Sequence, residues 1–80
     1  MKLYLCKVYD DGVGDWADLG VFSTQVKAEC AGIIYIHQIY HDVELIDWER
    51  EPNVYTDWYQ TPGGRVFTRV ITECELDKSL

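Results

Sequence analysis

Residues 30–41 form a run of twelve residues without a Lys, Arg, Asp or Glu, in a chain that is otherwise strongly acidic. The run reads Cys-Ala-Gly-Ile-Ile-Tyr-Ile-His-Gln-Ile-Tyr-His. A segment that is apolar on nearly every side needs more covering surface than one small sheet provides. We therefore expect the chain's own sheet to cover one side of this segment and another layer, a second subunit or a bound protein to cover the other.

Two local structures fit this run. In the first, a helix capped by Ser23 or Thr24 extends over residues 24–41. A rotation of about 100° per residue then separates two apolar faces. One face carries Val26, Cys30, Ile33, Ile34, His37, Tyr40 and His41. The other carries Ala28, Ala31, Gly32, Tyr35 and Ile39, and the oligomer interface is predicted at Ala28, Tyr35, Ile36 and Ile39.

In the second structure the helix stops at Gly32, a natural residue just beyond a helix end. Residues 33–40, which are rich in β-branched side chains, then form a buried strand. The sequence leaves both structures open.

The rest of the chain reads as strands and turns. Residues 2–9 and 16–22 predict a hairpin closed by a polar, glycine-containing loop. Residues 54–60 and 65–76 predict a second hairpin, because Pro62, Gly63 and Gly64 supply the backbone angles of a tight reversal. Residues 42–51 fit either a continued helix or an edge strand. The sequence therefore predicts one α+β domain over residues 1–80, with an antiparallel sheet of four to five strands and one principal helix on one face, in the order ββαββ.

Charge restricts the possible partners. The chain has 14 acidic and 7 basic residues and a formal charge of −7. Nucleic acids and anionic membranes bind clusters of Lys and Arg, so direct binding to either is not expected. No apolar window reaches the roughly 18 residues of a membrane span. The sequence also shows no signal peptide. We interpret Cys6, Cys30 and Cys74 as buried reduced thiols. Together these features predict a cytoplasmic protein.

Cys30, His37 and His41 come closest to a metal-binding set. The two histidines have the i, i+4 spacing that can share a Zn²⁺ ion, but Cys30 lies about 10 Å from His37 along a helix axis. The glutamate of the metalloprotease helix is also missing between them. No Ser or Cys lies in a catalytic motif, and Gly63 and Gly64 lack the Lys of a phosphate loop. We expect no catalytic residue, no metal and no cofactor, and hence a non-enzymatic protein.

The acidic residues fall in three clusters, in the first hairpin, after the helix and at the end of the chain. Aromatic residues interleave with the second cluster, as is typical of protein interfaces. Aligned carboxylates can also take the place of phosphates on a nucleic-acid-binding protein. The predicted partner-binding surface consists of Asp42, Glu44, Asp47, Trp48, Glu49, Glu51, Tyr55 and Trp58.

Several segments point to a family. They are an opening strand, a second strand closing on Gly20-Val21-Phe22-Ser23-Thr24, a helix with Lys27-Ala28-Glu29, and a last strand ending Glu73-Cys74-Glu75-Leu76-Asp77. Over residues 1–31 and 66–77 the chain resembles small phage-encoded ββαβ proteins of uncharacterised function. Residues 32–40 depart from that pattern, because the family's helix is charged and amphipathic. The resemblance implies an accessory phage protein that disables a bacterial protein, including immune effectors such as CRISPR, and it assigns no functional residues.

These observations favour a small acidic binding protein that occludes a basic, nucleic-acid-binding site on a host protein, in the host cytoplasm and as a homodimer. The alternative is a homo-oligomeric assembly protein with no inhibitory role.

Overall fold

The computed structural model describes residues 1–75, which form one helix and a five-stranded antiparallel sheet. Along the chain the elements are β1 (Lys2–Asp10), β2 (Asp15–Phe22), α1 (Gln25–Ile39), β3 (Glu44–Glu51), β4 (Val54–Gln60) and β5 (Val66–Glu75). The strands are ordered β2-β1-β5-β4-β3 across the sheet. The α+β class with one principal helix is confirmed. The acidic segment after the helix adds a third strand, so the observed order is ββαβββ, and the predicted strand residue Leu76 lies outside the described residues.

The helix is the longer of the two predicted forms. Thr24 is its N-cap, and the hydroxyl of Thr24 accepts a hydrogen bond from the Lys27 amide at 3.2 Å. The helix continues through Gly32 to Ile39, and the Tyr40 amide closes its last turn on the carbonyl of Ile36 at 2.9 Å. The prediction of a strand over residues 33–40 is wrong.

The helix packs on β1, β5 and β2 through two small residues and one isoleucine. Ala28, Gly32 and Ile36, spaced four apart, are buried, and Ala28 and Ile36 have no exposed surface. This corrects the assignment of Ala28 and Ile36 to an oligomer interface, since neither has surface left for a second subunit. Two other β-branched residues, Val26 and Ile34, face outward and are 64% and 56% exposed. Small side chains pack inward because they let the helix backbone approach the sheet closely.

The helix backbone lies very close to the sheet at Gly32. A Cβ atom at this position would lie 2.4 Å from Cδ of Arg69 and 3.2 Å from Sγ of Cys6. The glycine is therefore explained by helix–sheet packing, and not by a helix end.

Two groups of buried side chains form the core between helix and sheet. Cys6, Ala28 and Ile71 form one of them. Val8, Ile36 and Phe67 form the other. Half-buried aromatic and aliphatic residues surround both groups, among them Tyr4, Phe22, Tyr55 and Tyr59.

The three cysteines differ in exposure. Cys6 is buried, Cys74 is intermediate and Cys30 is exposed on the outer side of the helix. Burial raises the pKa of the Cys6 thiol above its ordinary value. The prediction of three buried thiols is therefore confirmed for Cys6, wrong for Cys30 and met only in part at the half-buried Cys74.

An ion pair joins the loop of the first hairpin to the turn of the second. The buried carboxylate of Asp10 accepts hydrogen bonds from Nε of Arg65 at 2.8 Å, from Nη2 of Arg65, and from the Gly12 amide at 2.9 Å. The hydrogen bonds from Arg65, with help from Gly12, hold the pKa of Asp10 below its ordinary value. The loop after β1 is thereby tied to the start of β5.

This lowered pKa predicts a pH dependence of stability. A carboxylate with a depressed folded-state pKa stabilises the protein fully above its unfolded pKa of about 3.9, and the contribution disappears as the pH falls through the folded value. Asp10→Asn removes that titration. Urea unfolding of both proteins is expected to give a difference that is constant from about pH 5 to 7 and shrinks below about pH 4. A difference that stays constant down to about pH 2 would contradict this account.

Candidate functional site

One face of the sheet carries the helix, and no element formed by residues 1–75 packs on the opposite face, which we call the open face. Residues of β1 and β5 alternate between the two. Cys6, Val8, Phe67 and Ile71 point to the helix. Their neighbours Leu5, Lys7, Tyr9, Thr68 and Val70 therefore point to the open face.

An aromatic row crosses the open face. Direct cross-strand pairs connect Asp47 to Trp58, Trp58 to Thr68, Thr68 to Tyr9 and Tyr9 to Trp16. Side chains of directly paired residues project on the same side of a sheet. The rings of Tyr9 and Trp16 are 5.1 Å apart between centroids, and Trp16 is 46% exposed. The row therefore places aromatic side chains on both sides of Thr68, with Trp58 on β4 and with Tyr9 and Trp16 on β1 and β2.

A β-bulge places four carboxylates along one edge of this face. The pairing of β3 with β4 shifts between Leu45 and Asp47. Strict alternation would put Glu44 on the side opposite to Asp47. The bulge adds one residue, and every acid of the strand then pairs with a β4 residue of the open face. The pairs are Glu44 with Gln60, Asp47 with Trp58, Glu49 with Thr56 and Glu51 with Val54.

These carboxylates lie close enough to repel one another. Alternate residues of a strand are about 6.6 Å apart. The nearby Glu51 carboxylate, and to a smaller extent the charge of Asp47, raises the pKa of Glu49 above its ordinary value. An approaching cation relieves this repulsion, so the edge favours positively charged groups.

Opposite the acidic edge, the open face carries Lys7 of β1 paired directly with Asp18 of β2. The Nζ atom of Lys7 is 4.5 Å from the centroid of the Trp16 ring. This contact shows that the aromatic surface of the face accommodates a cation.

A buried ion cluster fixes the edge strand to the sheet. On the helix side, Asp57 of β4 is 2% exposed and accepts hydrogen bonds from Arg69 at 2.6 Å and from Arg50 of β3 at 2.8 Å. Arg69 also donates to the carbonyl of Glu29 in the helix at 3.0 Å. Arg50 further bonds the carbonyl of Thr56 at 3.1 Å. The acidic edge is therefore held by side chains that do not belong to the open face.

A side chain also occupies a backbone group of the edge strand itself. The carboxylate of Asp47 accepts from the Trp48 amide at 2.8 Å. With the bulge, this contact makes β3 a poor template for the addition of another strand. A partner is therefore expected to bind the open face and not to pair with β3.

The structure brings together some of the predicted partner-binding residues and separates others. Glu44, Asp47, Glu49, Glu51 and Trp58 share the open face. Trp48, which is 61% exposed, pairs with Asp57 and lies on the helix side. Tyr55 also lies there and packs on the core, whereas Asp42 lies between the helix and β3. Trp48 and Tyr55 are not part of the open face.

Residues of the first hairpin complete the open face, and none of them was among the predicted partner-binding residues. They are Leu5, Lys7, Tyr9, Trp16, Asp18 and Val21. Their period-two alternation in the sequence indicates that they share one side of each strand. It does not show which side of each strand the helix covers.

The chain matches no protein-family model, no curated protein and no solved structure. In the part of the chain that the structure describes, no helix is both long and apolar enough to cross a membrane. Within residues 1–75, no three His, Cys, Asp or Glu side chains are grouped as a metal site would require. A role for the open face therefore has to be inferred from the residues of this chain.

Proposed function

We propose that this chain is a small, non-enzymatic binding protein that docks the open face of its sheet onto a basic surface of a protein partner. The observation that carries the proposal is the bulge in β3, which sets Glu44, Asp47, Glu49 and Glu51 beside Trp58 on one face. Aromatic side chains beside a charged edge are common in protein interfaces.

The size of the face supports a protein as the partner. Five strands spaced about 4.8 Å apart, each of about eight residues, give a face of roughly 24 Å by 26 Å, or about 600 Å². A standard interface buries about 800 Å² on each partner. The open face is therefore nearly large enough to form a specific complex without the helix side.

The charge of the face supports a basic partner. Carboxylates about 6.6 Å apart along a strand offer a row of negative charges to Lys and Arg side chains, as a nucleic-acid backbone does. Trp58 beside Asp47 adds an aromatic ring on which a guanidinium group can stack. A nucleic-acid-binding site on the partner fits both features.

The biological setting follows from the family resemblance of the sequence. The proposal places the chain among phage accessory proteins that act in the host cytoplasm, with a host protein such as a CRISPR effector as the inhibited partner. Occlusion of the partner's basic site is the proposed mechanism.

The test compares two triple variants with the same change of charge. The first, Asp47→Asn with Glu49→Gln and Glu51→Gln, neutralises three of the four carboxylates of the acidic edge. The control, Asp15→Asn with Glu29→Gln and Glu75→Gln, neutralises three acids away from the open face. Asp15 is a matched counterpart of Asp47, because each carboxylate accepts from the amide of the following Trp at 2.8 Å.

Each tagged protein is used to capture partners from bacterial lysate, and affinities are then measured with the purified captured protein. Three exposed charge contacts are worth about 0.6–3 kcal/mol together, so the first variant is expected to bind roughly 3- to 150-fold more weakly and the control about as well as the wild type. The captured protein is also expected to lose its nucleic-acid binding in the complex. Equal losses in both variants, or an intact complex with nucleic acid, would contradict the proposal.

A further inference from the structure

The outward side of the helix carries an apolar stripe made of Val26, Cys30 and Ile34, which we call the outer stripe. Val26 and Ile34 are 64% and 56% exposed, and Cys30 is exposed. The three residues follow one another at intervals of four, so they lie nearly in line over about 12 Å of helix. No part of residues 1–75 covers this stripe.

We propose that a second copy of this chain covers the outer stripe, in an antiparallel helix pair whose two-fold axis passes through Cys30. The proposal concerns the side of the molecule away from the open face and does not depend on the proposed function.

The spacing of the stripe favours a second copy. A two-fold axis at Cys30 places each residue n of one helix opposite residue 60 − n of its partner. Val26 then meets Ile34 of the second copy, Ile34 meets Val26, and the two Cys30 residues face each other. An interface around a two-fold axis must be complementary to itself, and this stripe meets that condition.

The distribution of charge also favours a second copy of the chain as the partner of the outer stripe. The whole chain carries −7, whereas the helix residues 25–39 contain only Lys27 and Glu29 and sum to zero. Two strongly acidic copies repel each other least where each presents an element with no net charge. The open face, with four carboxylates on one edge, is a poor surface for self-association by the same reasoning.

The small area of the outer stripe limits the stability of the dimer. Three side chains cover much less than the roughly 800 Å² that each partner buries in a standard interface. We therefore expect a reversible dimer with a dissociation constant in the micromolar range. In such a dimer the two open faces point away from each other and remain free.

Sedimentation equilibrium over a range of micromolar concentrations tests the association. The wild type is expected to shift from monomer to dimer, and Ile34→Glu is expected to weaken the dimer by about tenfold or more. Val21→Glu is the matched control, because Val21 is 57% exposed but lies on the open face. A wild type that stays monomeric at every concentration overturns the proposal, as does an equal effect of both variants.

Disulfide trapping tests the antiparallel register. Under mild oxidation with copper phenanthroline the wild type is expected to form a covalent dimer, and Cys30→Ser is expected to prevent it. In a Cys30→Ser background, a mixture of the Val26→Cys and Ile34→Cys proteins should form the mixed disulfide faster than either protein forms its own. Faster formation of the like-with-like disulfides indicates a parallel pair and overturns the two-fold at Cys30. Far-ultraviolet circular dichroism of each variant shows that it is folded.

Discussion

Replacing Asp57 with Ala is expected to lower the free energy of unfolding by about 3–5 kcal/mol, a large share of the total for a small domain. Asp57 is buried and accepts from both Arg69 and Arg50. Without it, the buried Arg69 has no carboxylate partner, and Arg50 loses the contact that fixes β3. Urea unfolding followed by circular dichroism measures the change.

The control is Asp42→Ala, which removes an exposed acid and should change the stability by less than about 0.5 kcal/mol. A second comparison separates the loss of an ion pair from the loss of packing. The double variant Asp57→Leu with Arg69→Met replaces both charges by apolar groups and is expected to recover much of the stability. A loss below about 1 kcal/mol for Asp57→Ala would show that the cluster does not hold the edge strand.

Replacing Gly32 with Ala is expected to cost about 1–3 kcal/mol. In an exposed helix this substitution stabilises by about 1 kcal/mol, so the sign of the effect is the test. The added Cβ would lie 2.4 Å from Cδ of Arg69. Arg69 cannot easily swing aside, because Asp57 and the carbonyl of Glu29 hold its guanidinium. Thermal unfolding reports the change.

Cys30→Ala is the matched helix control. Cys30 faces solvent in the monomer, two residues before Gly32, and its replacement should leave stability within about 0.5 kcal/mol, measured at a concentration where the protein is monomeric. A stabilised Gly32→Ala protein would mean that the helix stands further from the sheet than the described contacts require.

The strands, their turns and the capped helix could be predicted because each depends on local chemistry. The alternation of residues 54–60 and 65–76, with Pro62, Gly63 and Gly64 between them, is sufficient to predict the second hairpin. The hydroxyl before residue 25 predicts the helix start. These features need only neighbouring residues to be recognised.

The inward side of the helix could not be predicted from its sequence. Both sides are apolar, so hydrophobic periodicity cannot choose between them. The choice depends on how closely the backbones approach, which favours Ala28 and Gly32 over Val26 and Ile34. The same packing explains a glycine in the middle of a helix, where local rules predict an end.

The acidic edge could be predicted only in part, for a similar reason. Alternation along residues 44–51 puts Asp47, Glu49 and Glu51 on one side but leaves Glu44 on the other. The bulge that adds Glu44 arises from the pairing of β3 with β4 and not from β3 alone. Pairing across strands is likewise what brings Trp58 and Trp16 into one row.

The three tryptophans test the central claim most directly, because they divide between the two sides of the sheet. Trp16 and Trp58 belong to the open face, whereas Trp48 lies on the helix side. Each indole N–H gives its own signal in a proton–nitrogen correlation spectrum of the labelled protein. When the captured partner is added, the signals of Trp16 and Trp58 are expected to shift or broaden and that of Trp48 to remain. A shift of Trp48 with the other two unchanged would place the binding surface on the wrong side of the sheet for this account.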